Sequence, residues 1–397
     1  MKSILPGKRN ILSAVGLLLA LVLLMQQASV FMQPKLINID DFVEYWSAGR
    51  LNYAGGNPYS PADLEPVQRE AGRTEGVPVM MWNPPYVLPI AMVFGVFPYQ
   101  AGRLLWFLLA LAILVASADY FWRRYDGDQR RWLAWLVALI FYPSIALFQT
   151  GQIGAITLAG IFGFMYFEER QRDWLAGVWL VSALVKPHIT YLFVVVLLLW
   201  IMRYRRWKVF WGILAGFAFT LGVAWLVNPL VFNQYVYAAL NYPPLDWATP
   251  TLGGLLRMLF GHDVVWLQFV PSAIGLLWVV WFWLRHNTTW HWGEFLPPVM
   301  LVSVVSAAYG WSSDKVAFLM VPVLAAVWLF STKSLRLRWF VGGIYVLINI
   351  LAFIVQWKFG ADDHQVWLGP AFLVWYVLFW LSRQWDRENG YKKSDSQ

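Results

Sequence analysis

No cysteine occurs among the 397 residues, which excludes disulfides and thiolate metal sites while leaving the redox compartment open. Charge is also scarce. Asp, Glu, Lys and Arg make up 13% of the chain, against about a quarter in ordinary soluble domains, and 59% of the residues are hydrophobic. With a mean hydropathy of +0.53, the composition is that of a polytopic membrane protein. Histidines are few, and His262, His286, His291 and His364 lie scattered in polar loops without zinc spacing. A Walker phosphate loop, a Gly-x-Gly-x-x-Gly after a strand and a Gly-x-Ser-x-Gly elbow are all missing, so no Rossmann-type nucleotide-sugar domain is encoded.

Aromatic residues, by contrast, are abundant: 27 Trp, 18 Tyr and 27 Phe. Such rings collect at the two headgroup levels of a bilayer, and they read as interfacial anchors rather than as a nucleic-acid stacking surface. The net charge of +8 likewise reports cytoplasmic loops rather than nucleic acid.

A first apolar stretch, 11–31, follows Lys2, Lys8 and Arg9 and reads as a retained signal anchor. Further spans are expected near 102–122, 132–149, 153–168, 209–227, 264–284, 294–308, 315–331, 338–356 and 366–382. The stretch 84–98 is either a short crossing helix or a re-entrant piece. The stretch 174–202 is either one long broken helix or two short ones meeting at Lys186-Pro187, because proline removes a helix donor. Either resolution gives an all-α bundle of about twelve spans, a single domain over 1–382 with a polar tail at 383–397. Arginine and lysine cluster at 123–131, 203–208, 333–338 and 383–393, which places these connections and both termini in the cytoplasm. The acid-rich loop 32–83 then lies outside, as do 228–263 and 309–315.

The outer loop opens with Asp40 and Asp41, a pair of acids beside a bilayer and a candidate site for proton chemistry on a lipid-borne substrate. Adjacent like charges near low dielectric push one carboxyl pKa upward, as a general base requires. Asp41-x-x-Glu44 also has the spacing of a capping box, which would start an amphipathic helix presenting Phe42, Tyr45 and Trp46 to the membrane surface. Lys186 interrupts an apolar stretch and would either meet a phosphate or snorkel to an interface; His188 could donate to the same anion or simply pack. Gln152, in Gly151-Gln152-Ile153-Gly154, has the donor and acceptor capacity to hold a hydroxyl-rich ligand, although tight helix packing explains these glycines equally well. Asp314-Lys315 could be solvated or paired together.

These pieces, taken in order, resemble glycosyltransferase family 87, integral-membrane enzymes of the GT-C type. The resemblance is carried by Asp41-Phe42 with Tyr45, Ala48 and Gly49; by Asn57-Pro58-Tyr59; by Trp82-Asn83-Pro84-Pro85-Tyr86; and by Gly151-Gln152, Lys186-Pro187-His188 and the turn near Asp314. It implies transfer of a sugar, mannose being the commonest in the family, from a polyprenyl phosphate to a hydroxyl of a lipid or glycan acceptor. Transfer is expected at the non-cytoplasmic face of the cell membrane, with inversion, and without cofactor or metal ligands. The resemblance makes Asp41 the catalytic base, with Asp40 beside it. Lys186, His188 and, more weakly, Arg50 or Arg257 would bind the donor phosphate. Gln152, Asp314, Tyr45, Trp82 and Tyr86 would meet the sugar or acceptor. Some relatives carry histidines where this chain has Ser313 and Asp314. A secondary transporter or lipid-linked-sugar flippase is the competing class, although the duplicated halves common in transporters are not visible.

Overall fold

A computed structural model describes residues 36–394 apart from Glu75, Gln129, Leu245, Asp246 and Ala248, so the stretch 11–31 lies outside the described residues. Every regular element among the described residues is helical. In chain order the α-helices are α1 (Phe42–Tyr53), α2 (Pro61–Glu70), α3 (Leu88–Gly95), α4 (Tyr99–Arg124), α5 (Trp132–Ile140), α6 (Tyr142–Thr150), α7 (Gly154–Glu169), α8 (Asp173–Ala183), α9 (Tyr191–Tyr204), α10 (Trp207–Val227), α11 (Val231–Asn241), α12 (Leu252–Phe260), α13 (Val270–His286), α14 (Trp292–Val305), α15 (Met320–Ser331), α16 (Leu335–Phe359) and α17 (Leu368–Ser394). Short 3₁₀ turns, notably Ser312–Phe318 and Asp362–Gln365, join some of them.

Five helical segments are long and apolar enough to cross a membrane, or seven if two bent pairs each count as one. That is the architecture of a membrane protein. This count does not include the stretch 11–31, and among the described residues several of the expected apolar stretches form helices too short or too bent to be counted singly. One bent pair is α5 and α6, which meet at 66°. Pro143, near the start of α6, has no N–H and its ring would collide with the Leu139 carbonyl of a continuous helix. The Tyr142 N–H released at the bend donates instead to Asn349 Oδ1 on α16, 2.6 Å away.

The stretch 174–202 resolves into two short helices, α8 and α9, with Pro187 in the break. Carbonyls left without helical partners there are met by side chains from elsewhere. Tyr86 OH donates to Leu184 O at 2.7 Å, Asn83 Nδ2 to Val185 O at 3.0 Å, and Ser303 Oγ to Ile189 O at 2.7 Å. This accounts for Asn83 and Tyr86 of the Trp-Asn-Pro-Pro-Tyr motif as braces that hold the loop carrying Lys186.

The helix α1 departs from the expected surface helix. Phe42, Tyr45 and Trp46 are at most 4% exposed, because α1 is packed inside the protein against α3 and α4. Tyr45 stacks on Trp106, Phe42 meets Phe94 edge-on, and Trp46 Nε1 donates to Phe97 O. Contact with α3 is close enough to require Gly49, where a Cβ would stand 2.2 Å from Ala91 O. The acids at the start of α1 are therefore fixed by a buried helix.

Candidate active site

Asp41 has helical dihedrals and makes no side-chain cap, so the capping-box reading is overturned. Its backbone N–H donates to Thr150 O at 2.7 Å, which ties the start of α1 to the end of α6. This leaves the carboxylate free to face a cavity of about 630 Å³ lined also by Glu44, Tyr45, Arg73, Trp82, Gln152, Lys186 and His188.

One polar chain joins the site. Gln152 Nε2 donates to Asp41 Oδ2 at 2.7 Å; Gln152 Oε1 accepts from Lys186 Nζ at 2.7 Å and from Tyr45 OH at 3.1 Å. Two donors on one side of the amide determine its orientation and turn the NH₂ toward Asp41. Lys186 Nζ also donates to Asp314 Oδ1 at 2.7 Å, and Asp314 Oδ2 accepts from the Trp311 N–H at 2.8 Å. Gln152 sits between α6 and α7, just after Gly151. With φ at +68°, and with Asp40 Oδ1 2.4 Å from where a Cβ would be, position 151 has no room for a side chain.

Burial sets the protonation of the two acids at this cavity. Desolvation, helped by the Asp40 charge, lifts Asp41 to about 6 against the opposing hydrogen bond from Gln152. Desolvation and the Asp41 charge lift Glu44 further, to about 8. At neutral pH the pair is therefore mostly one carboxylate, on Asp41, and one carboxylic acid, on Glu44.

A model of glycosyltransferase family 87 matches residues 82–332, more than half of the chain, spanning Gln152, Lys186 and Asp314. The chain belongs to glycosyltransferase family 87. No curated protein and no solved structure matches it. The family 87 match makes the chain a glycosyltransferase, with a sugar donor and an acceptor.

Of the residues expected at the site of this family 87 protein, Asp41, Gln152, Lys186, His188, Tyr45 and Trp82 line one cavity. Five others stand elsewhere. Asp40 points away from the cavity into a buried pair with Arg103 Nε, 2.7 Å away, and also accepts from Tyr99 OH. Its role is to anchor α1 to α4. Arg50 is exposed, reaching toward Gly95 O and lying over the Trp46 ring. Arg257 is buried and donates to Gln268 Oε1 at 2.6 Å and to His262 O. Tyr86 is committed to the Leu184 carbonyl and packs edge-on against Phe217. Asp314, 1% exposed, lies behind Lys186 as its ion-pair partner rather than at the cavity wall.

Glu44 and Arg73 were missed as cavity residues. Glu44 was read only as a cap partner, while Arg73 lies in a polar stretch whose folding back over the site leaves no local sequence signal. The Arg73 guanidinium donates to Ile37 O and Asn38 O, both at 3.1 Å, which pins Arg73 beside the segment that leads into α1.

Breaking the Asp40 pair gives a stability test separate from activity. Arg103→Met leaves a carboxylate buried without its cation, and a loss of about 3–5 kcal/mol is expected. Thermal unfolding in detergent checks this.

Proposed function

We propose that this family 87 protein transfers a sugar, mannose in the first instance, from a polyprenyl phosphate to a hydroxyl of a lipid or glycan acceptor. Transfer occurs at the non-cytoplasmic face of the cell membrane, within a single domain over 1–382, with both termini in the cytoplasm. The observation that carries the reading is the single cavity wall that joins Asp41 through Gln152 to Lys186.

An alcohol is a poor nucleophile, so a carboxylate must take its proton as the new bond to the anomeric carbon forms. Asp41 does this. Attack from the face opposite the phosphate inverts the anomeric centre. The bonding pair leaves on the phosphate oxygen, and the charge that develops there is met by Lys186, with Arg73 and His188 on the same wall. Trp82 offers a ring to the sugar. A lipid-borne donor accounts for an active acid beside apolar spans and for the missing nucleotide fold.

The test is reconstitution in liposomes with a radiolabelled polyprenyl-phosphate mannose and a panel of alkyl glycosides. Covalent label on an acceptor is expected. Label that crosses the vesicle without covalent transfer would instead mark a flippase.

The two acids predict a bell-shaped pH profile. Transfer rises with pH as Asp41 loses its proton near 6, and falls near 8 as Glu44 ionises and adds a second negative charge facing the donor phosphate. Glu44→Gln should keep the acid limb and lose the alkaline one, and kcat/KM measured from pH 5 to about 9 checks this.

A further inference from the structure

Asp41 faces two cavities. The second, about 460 Å³, shares only Asp41 and Trp311 with the first and is lined by Ile39, Tyr142, Gln149, Thr150, Ser313 and Asp362 among others. The two cavities differ in charge. Arg73 and Lys186 line the first against one carboxylate, Asp41, and the protonated Glu44, whereas the described lining of the second contains no lysine, arginine or histidine and carries two carboxylates, Asp41 and Asp362. An anionic phosphate is drawn to the first and repelled by the second.

The second cavity also carries unused hydrogen-bonding capacity. Ser313 lines this cavity, and its hydroxyl, shielded from solvent, has no partner among the described residues, an arrangement that costs free energy unless the side chain turns to meet a ligand. Asp362 is held by the Ser312 N–H at 2.8 Å, so its carboxylate is fixed where the Asp362–Gln365 turn meets the Ser312–Phe318 turn. Gln149 adds an amide, and Tyr142 contributes an aromatic side to the wall. Hydroxyl, amide, carboxylate and ring together suit an uncharged polyol.

We propose that this second cavity is the acceptor site, that it takes the uncharged, hydroxyl-rich terminal sugar of the acceptor, and that the lipid-phosphate donor is confined to the first. This rests on the proposed transfer reaction and adds which substrate occupies which cavity. In the transfer step the acceptor oxygen, entering from the second cavity, bonds to the anomeric carbon held in the first. The carbon–oxygen bond to phosphate breaks, its electron pair stays on the phosphate, and the acceptor proton passes to Asp41. An acceptor whose reacting sugar bears its own phosphate or carboxylate is selected against by Asp362.

The absence of cysteine allows a clean test, because a single introduced thiol is the only one in the chain. Gln149→Cys in the second cavity and Met80→Cys in the first are reconstituted and blocked with benzyl methanethiosulfonate. Labelled polyprenyl-phosphate mannose serves as donor and octyl mannoside as acceptor. Blocking the thiol of the Gln149→Cys variant should raise the acceptor KM by about tenfold or more with the donor KM unchanged, and blocking that of the Met80→Cys variant should do the reverse. Dithiothreitol should restore both. Ser313→Ala, which removes one hydroxyl without adding bulk, should raise only the acceptor KM, by about three- to tenfold. Unchanged acceptor KM in blocked Gln149→Cys and in Ser313→Ala, with wild-type transfer intact, overturns the cavity assignment and leaves the transferase reading standing. Wild-type protein that transfers no label to any glycoside defeats both.

Discussion

Asp41→Asn should fold, insert and bind donor normally, yet transfer sugar about 10²- to 10⁴-fold more slowly, the usual contribution of a positioned general base. The substitution is close to isosteric. Gln152 Nε2 can still donate to the asparagine oxygen, so the chain from Gln152 through Lys186 to Asp314 survives. What disappears is the only group in that chain able to take a proton at neutral pH. Single-turnover transfer, measured together with donor binding, separates chemistry from affinity. Transfer within about a factor of ten of wild type would remove Asp41 from the role of base.

The second large effect is expected at Lys186. With 7% of its side chain exposed and its ammonium on both Asp314 and Gln152, it is placed to stabilise the fold, and in the proposed mechanism it also meets the donor. Lys186→Gln leaves Asp314 buried without a counter-charge, and a destabilisation of about 3–5 kcal/mol is expected along with weaker donor binding. The two consequences can be separated. Lys186→Gln combined with Asp314→Asn removes both charges, so most of the stability should return while donor KM stays raised. A double-mutant cycle in Tm and in donor KM makes the comparison. Full recovery of donor KM in the double variant would show that Lys186 matters only through its ion pair.

The membrane-embedded, all-helical character was legible from composition, and Lys186 stood out because a lone ammonium within an apolar stretch has few reasons to be there. The loop that carries the candidate base also stood out by its acids. What each acid does could not be read, because i, i+3 spacing at a helix start is common to a capping box and to a helix whose first turn faces a cavity. Gln152, 111 residues further on, decides that question for Asp41, and Arg103, 63 residues from Asp40, decides it for its neighbour. Arg50 and Arg257 were named because cations are needed near a phosphate, and a residue's identity does not reveal which way a helix turns it. Span number was obscured for a related reason. Prolines such as Pro143 and Pro187 break apolar runs whose hydropathy alone suggests continuous crossing, and the freed backbone groups find partners only after the chain has folded.

Gln152 has one more effect. Lys186 is already paired with Asp314, and an Asp41 carboxylate drawn into direct contact with the same ammonium would become too weakly basic to accept a proton. The neutral amide works as an insulator: it holds Asp41 at a fixed separation from the Lys186–Asp314 pair on one rigid rail, so that the Asp41 carboxylate is not drawn into the pair and keeps its basicity.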